Sequence, residues 1–231
     1  MNHQRHFTSI ATTTAKAHLQ GLLDSTQHPM QYREHMTALG KLLGTIAASA
    51  LPPVGDTTTL VIATAEDADF LQAGVIQALH DRHIDTRLAV FWNHHYQLPN
   101  QSSVAPIVHK FIEPNYQQAT QIMIVKSVIS GSCVVRTNLI EMLTALPKIA
   151  TVFILAPVAH RDSERKLKAE FPDHISQKFR FICFAIDDER CDGEVIPGIG
   201  SQVYERLGLS DQPALTGYVP KVVEAQLFAG M

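Results

Sequence analysis

The residues able to do chemistry lie in a few short stretches. Ile124-Val-Lys-Ser-Val-Ile-Ser-Gly-Ser-Cys133 is an apolar run that closes on Ser130, Gly131 and Ser132 ahead of a helical pattern. Small residues between a strand and a helix leave backbone N–H groups free to cradle phosphate, where the helix dipole favours an anion. Lys126 and Ser127 occupy this run where such sites often want an acid. Glu66, Asp67 and Asp69 follow a second apolar run, and acids there also suit the positive end of a helix. Trp92, Asn93, His94 and His95 follow a third. Trp92 can stack on a base or pack in a core. Adjacent histidines point apart in an extended segment and no third ligand is spaced to join them, so the pair reads as an exposed hairpin arm, with no metal expected. Asp187 and Asp188 open a loop that runs to Val195, Ile196, Gly198, Gly200 and Ser201; these aspartates either line a pocket or only begin the loop. Cys133, at a helix start, is either a thiol of lowered pKa or a small buried filler.

The elements that must position these residues follow from periodicity. Residues 1–28 lack a steady period and read as an N-terminal arm, extended or a short helix, laid over the rest. From Pro29, the residues Met36, Leu39, Leu43, Ile46 and Ala50 recur at helical spacing up to Leu51-Pro52-Pro53. Thr58–Thr64 is β-branched and continuous, as a strand covered on both faces must be. A helix over 67–83 and a strand over 87–92 follow, with 105–112 as the return arm of a hairpin. Strands over 121–129, 149–156 and 179–186 then alternate with helices over 132–146 and 161–171. This order predicts an α/β fold with a central parallel sheet flanked by helices, a hairpin arm and a loop-like C-terminal part too rich in Gly and Pro for helix. Residues 29–231 read as one domain. Ligands of open parallel sheets bind beyond the carboxyl ends of the strands, so the loops after the first three strands and the tail loop should converge.

Composition narrows the partners. The 231 residues are 45% hydrophobic and 18% charged, with a formal net charge of -3, which sets up no field for nucleic acid. No run reaches the roughly 18 apolar residues of a membrane span. Cys133, Cys183 and Cys191 are odd in number and lack C-x-x-C spacing, which favours neither a disulfide framework nor a zinc site and fits a reducing cytoplasm.

Five segments in order resemble the uracil phosphoribosyltransferase family, a type I phosphoribosyltransferase fold, over roughly residues 22 to 208. They are the helix from Gln31 to Leu43, the strand and loop over 60–75, Trp92-Asn93-His94-His95, Ile129-Ser-Gly-Ser-Cys133 with its helix, and Ile186-Asp187 with Val195-Ile-Pro-Gly-Ile-Gly200. The resemblance implies a base loop at Val195 to Gly200, acting through its backbone, and a phosphate cradle at Ser130 to Ser132. It also implies a small-molecule ligand (nucleobase, nucleotide or phosphoribosyl pyrophosphate), magnesium if that diphosphate is used, and a homodimer or higher homo-oligomer.

The charges depart from the family pattern. Lys126 stands where the family has the ribose-holding acid, and Glu66-Asp67-Ala68 where it has an Arg-Ala-Gly loop against the pyrophosphate. Trp92 replaces a second arginine and Ser201 an aspartate. One charge pair near 4 Å at an effective dielectric of ~20 is worth about 4 kcal/mol. A quarter of the swing from arginine to glutamate, about 2 kcal/mol, already weakens diphosphate binding more than tenfold. The expectation is therefore a divergent member that binds a nucleobase, nucleotide or related anion, with phosphoribosyl transfer weakened or lost. Alternatives are a working enzyme that makes uridine 5′-monophosphate and pyrophosphate, and a structural or partner-binding dimerisation module. Lys126 either reaches water or pairs with Glu66 across the pocket mouth.

Overall fold

The computed structural model describes residues 5–51, 58–94, 96–97, 103–210 and 218–229. In chain order the elements are β1 (Arg5–Phe7), α1 (Thr13–Asp24), α2 (Pro29–Ser49), β2 (Thr58–Thr64), α3 (Ala65–Asp67), a π turn (Ala68–Gln72), α4 (Ala73–His80), β3 (Asp85–Asn93), β4 (Tyr96–Gln97), β5 (Ser103–Val104) and β6 (Ile107–Ile112). They continue as β7 (Ala119–Val125), β8 (Val128–Ile129), α5 (Cys133–Ala145), β9 (Thr151–His160), α6 (Ser163–Ala169), α7 (Asp173–Ser176), β10 (Phe179–Asp187), β11 (Glu189–Cys191), β12 (Glu194–Ile196), α8 (Val203–Arg206) and α9 (Lys221–Ala229).

The fold is α/β with a mostly parallel central sheet in the order β1-β10-β9-β7-β2-β3-β6. The strands from β10 to β3 run parallel, and β1 and β6 close the two edges antiparallel. All of β2 is buried, as its unbroken apolar run requires. Its residues alternate between two cores: Val61 and Ala63 face α1, α2 and α4, while Leu60 and Ile62 face α5. Helix α2 crosses the π turn so closely that a Cβ on Gly40 would lie 2.1 Å from the Leu71 carbonyl oxygen. Only glycine fits there.

Several elements differ from the sequence pattern. Residues of the N-terminal arm form β1 on the sheet edge and α1, whose Ala15, Leu19 and Leu22 are buried in the core. The Thr12 hydroxyl accepts from Ala15 N at 3.1 Å and caps α1, so a local cap stands in for the weak periodicity. The expected strand over 121–129 breaks at Lys126-Ser127 into β7 and β8 yet keeps its path: Val125 opposes Leu155 and Val128 opposes Val158 in one register on β9. The C-terminal part, expected to be loop, contains the β11–β12 hairpin, α8 and the nine-residue α9. Helix α9 begins after Pro220, and Asp69 supplies its cap by accepting from Lys221 N and Val222 N, both at 3.0 Å. A partner from 152 residues upstream of Lys221 was invisible to local pattern.

Candidate functional site

The chain leaves β2 for β3 on one side, and β7 enters on the other. That reversal opens a crevice at the carboxyl ends of β2 and β7, the place where open α/β sheets take ligands. The ends of those two strands carry Glu66-Asp67 and Lys126-Ser127.

These residues meet. Lys126 Nζ donates to Asp67 Oδ2 at 2.6 Å, to Glu66 Oε1 at 3.1 Å and to Ser127 Oγ at 3.2 Å. Asp67 Oδ2 also accepts from Thr64 Oγ1 at 2.9 Å and from Ser127 N at 3.2 Å, while the buried Oδ1 has no hydrogen-bond partner among the described residues. Asp67 is wholly buried; the Lys126 and Glu66 side chains keep 14% and 29% exposure, so only those two present charge to solvent. Burial raises the Asp67 carboxyl above the usual range in spite of Lys126, and the Glu66 charge adds to the rise. Burial pushes Glu66 the same way, but there the Lys126 ammonium prevails and holds the carboxyl low. Burial also works against the charge on Lys126, and the two carboxylates outweigh it, so the ammonium persists. The pairing of Lys126 with Glu66 is thus real, and Asp67 is its stronger, deeper partner.

A groove of about 1040 Å³ runs from Lys126 and Glu66 past Ser130, Gly131 and Ser132 to Arg136 on α5. Its far wall is made by Lys166, Glu170 and Arg190, and its floor includes Val195, Ile199 and Ser201 of the tail loop. A second cavity of about 550 Å³ is lined by the same Lys126 and Glu66 together with Gln202, Tyr204 and Ser210. The cradle is not empty of charge: Ser132 Oγ donates to Glu170 Oε1 at 2.6 Å, and Arg136 Nη1 lies 3.4 Å from Glu170 Oε2.

The tail loop is shaped by tethers rather than by its own side chains. Asp187 is fully buried, accepting from Arg5 Nε at 2.8 Å, Arg5 Nη2 at 2.7 Å and Gly198 N at 2.8 Å. Arg5 Nη2 also donates to the Gly198 carbonyl, and Tyr32 OH donates to the Ile199 carbonyl at 2.8 Å. Gly198 has φ +56°, and a Cβ there would lie 2.3 Å from the Val195 oxygen, so the Pro-Gly step admits only glycine. Of the predicted base-loop residues, Val195 and Ser201 line the groove together with Ile199; Ile196, Gly198 and Gly200 do not.

Other predicted residues are used elsewhere. Trp92 is 8% exposed and its Nε1 donates to the Tyr218 carbonyl at 2.9 Å, so it holds the C-terminal segment and offers no face for a base. Asn93 exchanges amide bonds with Asn138 at 2.9 and 3.2 Å and donates to the Ala105 carbonyl at 3.1 Å. Asp187 is consumed by Arg5 and does not line the groove. Ser127 is buried behind Lys126, and Gly131 sits in open space where a Cβ would touch nothing. Burial pushes the Cys133 thiol up, against the lowered thiol considered from its place at a helix start. His94 is described, but His95 lies outside the described residues.

Sequence reasoning missed Arg136, Lys166, Glu170 and Arg190, which share the groove because the first turn of α5, helix α6 with its C-cap and the β11–β12 hairpin meet there. Magnesium, implied by the resemblance if a diphosphate is used, needs carboxylate oxygens free to face it. At the Lys126 end of the groove the carboxylates are Glu66 and Asp67, and both are paired with the Lys126 ammonium, so these two residues do not fit a divalent cation. Among the described residues, no group of three or more His, Cys, Asp or Glu is placed to hold a metal.

No protein-family model matches the chain, and no curated protein does. Among solved structures, the AQ2163 protein from Aquifex aeolicus is 12% identical with a TM-score of 0.66, covering 88% of this chain and 98% of that one. The hypoxanthine-guanine phosphoribosyl transferase of L. donovani is 11% identical with a TM-score of 0.43, covering 59% of this chain and 74% of that one. A hypoxanthine phosphoribosyltransferase from Staphylococcus aureus is 13% identical with a TM-score of 0.41, covering 65% and 74%. The likeness to the A. aeolicus protein is one of fold; the two transferases share less of it. No helix among the described residues is long and apolar enough to cross a membrane.

Proposed function

We propose that this chain is a divergent relative of the uracil phosphoribosyltransferases that binds a nucleobase, a nucleotide or a related anionic ligand in the groove beyond β2 and β7, with ordinary phosphoribosyl transfer weakened or lost. One observation carries the reading: Lys126 lies within 2.6 Å of Asp67 and 3.1 Å of Glu66. The resemblance puts an acid for ribose at the first position and an arginine loop for pyrophosphate at the second. Here both signs are reversed, and the two positions satisfy each other.

Such a centre has little left for a magnesium diphosphate. The departing pyrophosphate in a phosphoribosyl transfer needs cations preorganised around its developing charge. At this end of the groove Lys126, the one cation among the described lining residues, is already neutralised, and Glu66 repels. The other features fit binding: a volume at the upper edge of ordinary ligand pockets, apolar Val195 and Ile199 beneath, and cationic side chains further along.

Calorimetry tests it. Phosphoribosyl pyrophosphate with magnesium should bind more than tenfold more weakly than uracil or uridine 5′-monophosphate, with no nucleotide formed. Micromolar affinity for the diphosphate together with formation of uridine monophosphate would show a working transferase. No affinity for any pyrimidine or phosphorylated ribose would instead favour a structural or partner-binding module.

A further inference from the structure

The floor of the groove is held by a residue that lies outside the groove. Ile199 and Ser201 line the floor, and Gly198, just before them, is gripped on both of its backbone polar groups: its N–H donates to Asp187 Oδ2 at 2.8 Å and its carbonyl accepts from Arg5 Nη2. Arg5 closes the triangle with bonds of 2.8 and 2.7 Å to the Asp187 carboxylate. A planar guanidinium can fork onto a carboxylate and still reach a third acceptor in fixed geometry, which a lysine ammonium cannot match. Arg5 belongs to β1, a three-residue edge strand paired antiparallel with β10 and continued by the Thr8 N–H, which donates to the Phe184 carbonyl at 2.9 Å. This strand precedes the region, roughly residues 22 to 208, that resembles the uracil phosphoribosyltransferases. Its His6 and Phe7 are exposed, so few apolar contacts hold it, and such segments open more readily than a core strand.

We propose that Arg5 is a positioning residue for the ligand groove, and that docking of β1 on the sheet edge and occupation of the groove are coupled. This rests on the reading of the groove as a ligand site. With β1 docked, Arg5 fixes Gly198 and so sets Ile199 and Ser201 at the depth a ligand meets. With β1 released, Asp187 keeps the Gly198 N–H, but the Gly198 carbonyl loses the partner it has among the described residues. The loop then loosens without unfolding, because Tyr32 OH still holds the Ile199 carbonyl at 2.8 Å and Arg206 Nε the Gly200 carbonyl at 3.3 Å. Coupling of this kind is reciprocal. A docked strand that strengthens ligand binding by some factor must itself be favoured by bound ligand to the same extent, and the Thr8 amide reports that docking.

The test combines calorimetry, with uracil and with uridine 5′-monophosphate, and amide exchange over residues 5–8 and 198–201 in the native chain, Arg5→Ala and Arg5→Lys. Arg5→Ala should weaken the bound ligand about tenfold, within the usual range of coupling between two sites, and speed exchange over 198–201. Arg5→Lys keeps a cation on Asp187 but loses the fork, so it should recover most of the thermal stability and little of the affinity. In the native chain, which needs no substitution to fold, saturating ligand should slow exchange of the Thr8 amide by a comparable factor. Three results overturn the proposal: affinity in Arg5→Ala within about twofold of the native chain, Thr8 exchange that ignores the ligand, or affinity in Arg5→Lys that returns in step with stability. Circular dichroism checks that both variants are folded. Binding by the native chain with indifferent Arg5 variants overturns the coupling alone, whereas no binding of either ligand by the native chain overturns the groove reading and the coupling together.

Discussion

Replacing Lys126 by methionine removes one charge and leaves two. At 2.6 Å and an effective dielectric of ~20, the attraction to Asp67 is about 6 kcal/mol, and that to Glu66 at 3.1 Å about 5 kcal/mol. Freeing Lys126 from burial returns several kcal/mol, and Asp67 keeps its bonds from Thr64 and Ser127, so the net loss falls to about 3–5 kcal/mol, the usual penalty for stranding one partner of a buried pair. The pH dependence follows from the direction of the Asp67 shift. Its folded pKa already lies above the unfolded value, and removing the ammonium raises it further. The folded state then binds the extra proton, so stability falls as pH rises through the folded pKa and is recovered as pH drops below it. Urea unfolding at several pH values measures this: Lys126→Met should lose about 3–5 kcal/mol at neutral pH and regain much of it in mild acid. Adding Glu66→Gln and Asp67→Asn should restore most of the loss at neutral pH. A loss under about 1 kcal/mol, or a pH profile parallel to that of the native chain, would refute the claim that these three residues form one coupled centre.

Other outcomes follow from single contacts. Asp69→Ala removes the cap of α9 and the 2.7 Å bond from Tyr218 OH, so amide exchange over 218–229 should speed up while the sheet stays protected, with a loss of about 1–2 kcal/mol; uniform protection would contradict this. Arg5→Ala leaves the buried Asp187 carboxylate, among the described residues, with the Gly198 amide alone, and thermal unfolding should report about 3 kcal/mol lost; a change within about 0.5 kcal/mol, on the order of a surface substitution, would show the clamp to be dispensable. His18 Nδ1 lies 3.0 Å from His35 Nδ1, and burial followed by the His35 charge lowers its pKa. The unfolded chain therefore takes up the proton first, and stability should decline as pH falls from about 7 through the imidazole range. His18→Gln should flatten that decline, as melting temperatures between pH 7 and 5 would show.

The sequence by itself determined the parts whose causes are local. The unbroken apolar run of β2, the helical spacing after Pro29 and the alternation of strands with helices made the parallel sheet and its flanking helices legible, along with the loops at the carboxyl ends of the strands. The opposite charges of Lys126 and Glu66 after two strands were legible too, since identity at a position needs no coordinates. Tertiary structure alone decided which charges meet. Asp67 is 59 residues from Lys126 in the chain, Glu170 is 38 from Ser132 and Asp187 is 182 from Arg5. None of these spacings leaves a periodic trace. Each contact exists because the fold brings β2 beside β7, β10 beside β1, and the start of α5 against the end of α6. The same order turned Trp92, Asn93 and Asp187 from pocket candidates into tethers, because a side chain next to a strand end faces solvent or core according to what packs over it.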